Sequence, residues 1–462
     1  MTIIVPANTL ATGGYDVDNS VRFESGSDDY IRRENTGSDF SASGSKLFTY
    51  SIWLKRSKLG SFMQIYAIGS GGARDYAAFD GDDKIEFAQY NGGVKYQLTT
   101  SRVFRDTSAW YHLVFAVDTT NGTANNRVRL YVNGVEETSF STRTNPDQNQ
   151  AILPNTQCDS YVLGADTDFS NESSTYYAET CFVSGSQETA TPFGEFDEDS
   201  GIWKPKKITA TLASDSYLYE FKNSSAFGAD TSGLGNSAGT INGLTAIDQS
   251  ASTCTNNEAT WNPLDTHPSA TLSEGNLKIA TTASGWHGSS TTIGITLGQS
   301  LYFEAKAVSN ARLYFGLSRT GEGVAGTARN NVAEGDGNWD YMWRTTTANQ
   351  VYYRGNSQSI TIGAISANDI CACRVNTDGQ VIFYKNDSVV VTFSTTLVAG
   401  YFYFPILSAN AFGGGTESWL ANFGNPAYAI SSTNTDPDGY GNFEFATKSA
   451  YALNTKNLAE YG

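Results

Sequence analysis

Apolar and polar residues alternate with a period of two through most of this chain, and turn residues interrupt them about every 8 to 12 positions. Successive side chains of a strand point to opposite faces, so each such segment offers one face to a core and the chain must build sheets. In FTYSIWLK, Phe48 to Lys55, the alternate set Phe48, Tyr50, Ile52 and Leu54 is the core-facing one. Leu113 to Val117, within WYHLVFAV, is apolar on both faces and is expected as a central strand. VRLYV, Val128 to Val132, is closed by Asn133-Gly134, a strong hairpin signal. No helix of useful length is expected. Aromatics at 13% and 45 Gly, with charged residues at only 17%, fit pleated surfaces and turns and exclude a coiled coil, a helical bundle and disorder. The fold class is all-β, as two tandem jelly-roll sandwiches.

The division into domains follows composition. Strands Lys84 to Phe87, Trp110 to Val117 and Val128 to Val132 join Phe48 to Lys55 in a first sandwich over residues 15–225. Residues 226–258 are rich in Ser, Thr, Asn and Gly and poor in large apolar residues, which reads as a linker. A second sandwich, residues 259–430, has strands at Leu301 to Lys306, Arg312 to Leu317, Val351 to Arg354, Ile370 to Val375, Val381 to Lys385 and Tyr401 to Leu407. Phe383, Tyr384 and the four aromatics Tyr401 to Phe404 are expected to fill its inter-sheet core. Residues 431–462 are too few for their own core and should pack on the second sandwich or on a neighbour.

Charge and cysteine usage limit the partners. With 47 acidic against 30 basic side chains the formal charge is -17, which disfavours phosphate-backbone recognition and an anionic membrane surface. No nucleic-acid partner is expected. Met1 to Val5 has no Lys or Arg before its apolar run, which stops at Pro6, so no signal peptide is expected. No stretch approaches the roughly 18 apolar residues of a membrane helix, so membrane insertion is not expected, and the chain should be soluble and fold in a reducing cytoplasm. The five cysteines (Cys158, Cys181, Cys254, Cys371, Cys373) lack metal-site spacing; Cys371 and Cys373 share one strand face as buried thiols.

Several blocks, in order, carry a resemblance. VRFESGSDDYIRR (Val21 to Arg33), FTYSIWLKRSKLGS (Phe48 to Ser61) and VFRDTSAWYHLVFAVDTT (Val103 to Thr120) with NRVRLYVNGV (Asn126 to Val135) resemble a laminin-G-like, concanavalin-like jelly roll of tailed marine bacteriophage virion proteins. FGEFDEDSGIWKPKKITAT (Phe193 to Thr211) and ADTSGLGN (Ala229 to Asn236) are similar to the exit from that domain in the same family. ATWNPLD (Ala259 to Asp265), LYFEAK, LYFGLS, VIFYKND and LANFG (Leu420 to Gly424) resemble a SPRY-like sandwich. GYGNFEF and ALNTKNL (Ala452 to Leu458) resemble the C-terminal peptide of these proteins, where a Cys commonly stands at the position of Asn454. The resemblance implies a fibre, tail or surface component with lectin-like domains, located in the virion after assembly in the host cytoplasm. It implies other virion proteins, of tail or capsid, as partners, and a homo-oligomer, a homotrimer as in many fibres.

Glu195, Asp197 and Asp199 in GEFDEDSG supply carboxylates of the kind a glycosidase needs, but Gly and Pro bound the segment and it lacks β-branched residues, so it reads as a solvated acidic loop. His112 lies in a strand as a core or sheet-face residue, and no enzyme is expected. For a metal, Ca2+ is the candidate, with Asp80, Asp82 and Asp83 in FDGDDK as oxygen donors, against a plain Asp-Gly hairpin turn. For carbohydrate, Trp339, Tyr341 and Trp343 alternate beside Glu334, Asp336 and Asp340 in EGDGNWDYMW, so that one aromatic face is exposed near carboxylates. Trp286 and His287 in GWHGSS form a second candidate, able to stack on and hydrogen-bond a sugar ring.

The expected function is that of a short tail fibre or receptor-binding subunit attaching to host cell-surface polysaccharide, with residues 1–14 as an arm docking to the particle. The alternative is a capsid-surface decoration or head-fibre protein without a direct receptor role. No heptad, triple-helical repeat or β-helical shaft is present in the sequence, so either role is played close to the anchor.

Overall fold

The computed structural model describes residues 14–34, 46–70, 72–153, 160–309, 312–319, 340–345, 350–354, 356–411 and 415–461. Contacts divide the chain into one compact unit of Ala11–Thr255 and another containing Asn256–Gly462. Each is a sandwich of two antiparallel sheets.

In the first unit, sheet I runs Val135–Glu136, Val128–Val132, Tyr111–Asp118, Leu47–Arg56, Thr175–Ser184, Ser20–Phe23, Gln249–Ser250. Sheet II runs Phe140–Thr144, Val94–Thr100, Ile85–Tyr90, Ala73–Phe79, Met63–Ser70, Ser160–Leu163, Tyr30–Glu34, Thr240–Asn242. The expected alternation holds: Phe48, Tyr50, Ile52 and Leu54 are buried between the sheets, with Tyr50 stacked on Tyr66 at 4.1 Å. Tyr111–Asp118 is an interior strand with both faces buried. Asn133 and Gly134 close the hairpin with φ of 49° and 81°, the left-handed pair that a two-residue turn demands.

The outward face of sheet I is sealed by the chain's own residues 190–212. Trp53, Val114, Tyr131 and Cys181 pack against Phe193 and Trp203. Within this layer Trp203 Nε1 donates to His112 Nδ1 at 3.0 Å, so His112 carries its proton on Nε2 and donates it to Ser51 Oγ at 2.9 Å. Burial pushes its pKa down to about 3, which keeps the ring neutral. Gly134 and Gly194 abut the Trp203 ring so closely that a Cβ would lie 2.2 and 2.6 Å from it.

Of residues 226–258, expected as a linker, those up to Thr255 fold onto the first sandwich instead, and Asn256 to Glu258 belong to the second unit. Thr240–Asn242 adds to Tyr30–Glu34, and Gln249–Ser250 adds to Ser20–Phe23. Phe227 enters the core, and the Asp230 carboxylate accepts from the amides of Leu218, Ser232 and Asn236. Strand addition needs backbone groups rather than large side chains, so a polar composition does not signal a free connection.

In the second unit, sheet III runs Trp261–Thr266, His287–Thr291, Tyr403–Asn410, Arg312–Arg319, Tyr341–Thr345, Gln350–Tyr353, Asn356–Thr361. Sheet IV runs Thr271–Ser273, Lys278–Thr281, Glu417–Asn422, Leu301–Ala307, Ile370–Val375, Gln380–Lys385, Ser388–Thr396. Cys371 and Cys373 share the inward face, as expected, with Phe383 and Tyr403. Tyr384 does not join them. Alternation with Phe383 turns it to the outward face of sheet IV, and Tyr401, Phe402 and Phe404 are only half-buried.

Residues 434–461 seal that outward face. Phe443, Ala450 and Ala452 pack on Tyr302, Ala372, Ile382 and Tyr384, and a short helix, Thr455–Tyr461, ends the segment. The Glu304 carboxylate, fully buried, accepts from the amides of Phe445 (2.9 Å) and Glu444 (3.1 Å), from Tyr302 and Tyr428 hydroxyls (both 3.1 Å) and from Asn422 (3.2 Å). Asp436 does the same for the amides of Tyr440 and Ala452 and for Asn457.

Candidate functional site

With sheets I and IV covered, the outward face of sheet III is where the second sandwich presents aromatic and polar side chains together. Strand register places Gly288, Ser408, Tyr314, Arg344 and Gln350 in one transverse row. Trp286, half-buried, lies over Tyr314 with ring centroids 3.7 Å apart and planes 14° from parallel. The Arg344 guanidinium sits 5.9 Å from the Tyr314 ring and 6.0 Å from the Tyr352 ring, and donates to the Tyr352 hydroxyl at 3.2 Å. That hydroxyl in turn donates to Gln350 Oε1. Next to the row, Ser290 Oγ donates to Asp265 at 2.7 Å. An indole stacked on a phenol, flanked by guanidinium, amide and hydroxyl groups, can take the C–H face of a ring and bond its hydroxyls. Among the described residues it holds no paired acid and nucleophile.

Of the expected carbohydrate residues, Trp286 is on this face. Tyr341 and Trp343 are not: they pair across with Leu317 and Phe315, and both are essentially unexposed in the inter-sheet core. The alternation predicted for this strand is real, but its outward set is the even one, Met342, itself buried beside Tyr314 and Tyr352, and the half-buried Arg344. His287 is also turned away. It follows Trp286 by one residue, points between the sheets, lies 2.8 Å from Thr281 Oγ1 with its ring tilted 34° to that of His267 at 4.3 Å, and burial lowers its pKa. Asp340 is held by Arg354 at 3.1 Å and Arg319 at 3.5 Å. Trp339, Asp336 and Glu334 lie outside the described residues, as does the arm before Gly14.

The calcium candidates are engaged elsewhere. Asp83 accepts from Arg56 (3.0 Å), the Gly60 amide (2.7 Å) and Arg105 (2.8 Å), and these donors hold its pKa below the usual carboxylate range despite burial. Asp80 caps its own turn through the amides of Asp82 and Lys84, while Asp82 faces solvent. Among the described residues no group of three or more His, Cys, Asp or Glu side chains is placed to hold a metal ion. Glu195 and Asp197 lie at the outer edge of the hairpin Gly194–Phe196 with Trp203–Pro205, Glu195 exposed, where both approach Lys204 at 3.7 and 3.0 Å.

Comparison with known proteins places the first sandwich. Residues 25–173 match the Laminin_G_3 family model, the concanavalin A-like lectin/glucanases superfamily. No curated protein matches the chain. Among solved structures it is similar to the SPRY domain of human HERC1, at 15% identity over 35% of this chain and 96% of that one, with a TM-score of 0.28. Stonustoxin is similar at 17% identity over 36% of this chain and 27% of the other, with a TM-score of 0.29. A heptameric SAP-like pentraxin from Limulus polyphemus is similar at 13% identity over 38% of this chain and 80% of that chain, with a TM-score of 0.29.

Sequence reasoning missed Tyr314, Arg344, Gln350 and Tyr352. Their signal was parity: once Trp343 and Val351 are assigned to the core, Arg344 and Tyr352 must face outward beside Trp286.

Proposed function

We propose that this chain is a non-enzymatic carbohydrate-binding attachment protein, and that it serves as a short tail fibre or receptor-binding subunit of a bacteriophage virion, docking on host-surface polysaccharide. The observation that carries the carbohydrate reading is the Trp286 ring stacked on Tyr314 beside Arg344 and Gln350. The lectin-type family match over residues 25–173 supports the same class of function. The virion role rests on the resemblance of the sequence blocks. Copies in one particle, as homotrimers or otherwise, would convert a shallow and weak contact into firm attachment.

Trp286→Ala is expected to weaken binding of the purified chain to envelope polysaccharide of its host about tenfold, while leaving the melting temperature within a few degrees of the parent. Unchanged binding would remove the site. Gold-labelled serum against residues 260–424, imaged on virions, tests the location: label at the tail supports the fibre, label over the head favours a capsid decoration role, and unlabelled particles refute the virion assignment.

A further inference from the structure

Two of the three histidines in the chain meet at the root of the Trp286 loop. His267 follows Trp261–Thr266 and is half-buried, whereas His287 begins His287–Thr291 and is 6% exposed, so a proton from solvent reaches His267 first. The ring centroids are 4.3 Å apart. The His267 amide donates to the Gly288 carbonyl at 2.9 Å, and the Gly285 amide to Asn410 Oδ1 at 3.3 Å, so Trp286 lies in the chain between two fastened points.

Hydrogen bonds fix where each ring carries its proton. The Ser269 amide donates to His267 Nδ1 at 2.9 Å, so this ring is protonated on Nε2. Thr281 Oγ1 lies 3.0 Å from the Ser269 carbonyl, which can only accept, and 2.8 Å from His287 Nδ1. The hydroxyl therefore donates to Ser269, and His287 Nδ1 donates to Thr281. Burial and the neighbouring His267 push the His287 pKa down, which keeps that ring neutral. A further proton enters His267 only at Nδ1, where it faces the Ser269 N–H, donor against donor. It enters His287 only at Nε2, on the side of Gly285, where a Cβ would lie 3.1 Å from that nitrogen. On the strands packed against the pair, Trp261–Thr266, Lys278–Thr281, Tyr403–Asn410 and Glu417–Asn422, the charged residues are Asp265, Lys278 and Glu417. Asp265 accepts from Ser290 at 2.7 Å, Glu417 accepts from Ser309 at 2.7 Å, and Lys278 has the parity opposite to the core residue Ile279. The connecting segments 267–270 and 282–286 carry no charge other than what the histidines acquire.

We propose that His267 and His287 form a pH-sensitive catch for the Trp286 loop, closed while both rings are neutral and opened by protonation, so that ligand held by Trp286 is released in acid. The release step rests on the carbohydrate-binding reading above; the catch itself rests on the hydrogen bonds of the two rings. The opened loop takes up a proton that the closed one refuses. Closure is therefore favoured above the ordinary histidine pKa of about 6.5 and is lost as pH falls through and below it.

Hydrogen exchange of the full chain, read by mass spectrometry on peptides covering residues 282–290 and corrected for intrinsic rates, tests the catch without any ligand. Exchange there is expected to rise about tenfold between pH of about 7.5 and about 5.5. His267→Asn is the decisive variant. Its Oδ1 takes the place of Nδ1 as acceptor for the amide two residues on, as in an Asx turn, but does not titrate. Exchange in the variant should be the same at both pH values. A flat parent, or a variant that opens as the parent does, would overturn the catch. Should the variant fail to fold, isotope-labelled histidine in the parent gives three ring signals to follow by NMR. The His267 signal must then titrate with the same midpoint as the exchange, and a midpoint more than about one pH unit away overturns the proposal. Retention on host envelope polysaccharide is measured for the parent and Trp286→Ala at both pH values. Retention that needs Trp286 but ignores pH would overturn the acid release and leave the site; a loop that opens in acid on a chain without Trp286-dependent retention supports the catch and breaks the binding reading alone.

Discussion

The two sandwiches share a plan and execute it with different chemistry. Each has one sheet whose outward face is sealed by the protein's own chain and another that carries a tyrosine–arginine–glutamine surface. In the first unit the seal is apolar and neutral, built on Trp203, Phe193 and an uncharged His112. In the second it is fastened by the buried carboxylates of Glu304 and Asp436 to amides of the covering segment. The outward-facing tyrosines of sheets III and II differ in a complementary way. Tyr314 lies buried beneath Trp286, which leaves the indole as the outer ring, whereas Tyr76 is itself half-buried and held by Glu86. A sealed sheet face thus needs no particular chemistry, only closure, while a presented tyrosine must be immobilised from above or from the side.

The contrast between the seals can be broken most severely at Glu304. Glu304→Ala leaves five donors without their acceptor, and a loss of about 3 to 5 kcal/mol is expected, confined to the second unit. Denaturant unfolding followed by a protease-resistance map of the two units reads it; equal losses in both units would contradict the assignment. Trp203→Ala attacks the apolar seal. It opens space beside Gly134 and Gly194 and removes the donor to His112, for an expected cost of about 3 to 4 kcal/mol in the first unit alone. A crystal or solution structure with unchanged first-unit stability would show that the layer is dispensable.

A smaller effect sharpens the difference in titration. Glu179 is buried at an irregularity in Thr175–Ser184, accepts from the Tyr15 hydroxyl, and burial pushes its pKa up to about 7 from 4.5. The folded state therefore binds a proton that the unfolded chain releases between pH 4.5 and 7, and stability from this group falls as pH rises across that window. Glu179→Gln is expected to match the parent at pH 4 and exceed it by up to about 3 kcal/mol at pH 8. Parallel melting curves of the two proteins across that range would refute the shift.

Strand positions were largely legible in the sequence because alternation and turn residues are local properties. FTYSIWLK, WYHLVFAV, VRLYV and ICACRV all appear within a residue or so of their expected limits. The outward face of sheet III was less so. YMWR offers aromatic or large side chains on both parities, and only pairing with Phe315 and Leu317, some 26 positions upstream, sends Trp343 and Tyr341 inward. Residues 226–258 misled for a related reason: apart from Phe227 and a few partly buried residues such as Ile241 and Leu244, their attachments are backbone ladders and an aspartate turn, which leave little apolar trace. Trp286 was identifiable as a stacking residue, but its partner Tyr314 was not, because stacking between a loop and a strand depends on a register that composition does not encode.

The carboxylate of Glu304 also imposes an order of events during synthesis. Its amide donors lie 140 and 141 positions further along the chain. The first sandwich draws every strand and its seal from residues before Asn256, so it can close while the rest is still being made. The second cannot. From the moment Leu301–Ala307 is extruded until residues 444 and 445 emerge, its central acid has no amides to receive it. The interval in which this protein is vulnerable to mispairing on the ribosome therefore belongs to its second half, and it ends only with the arrival of the covering segment.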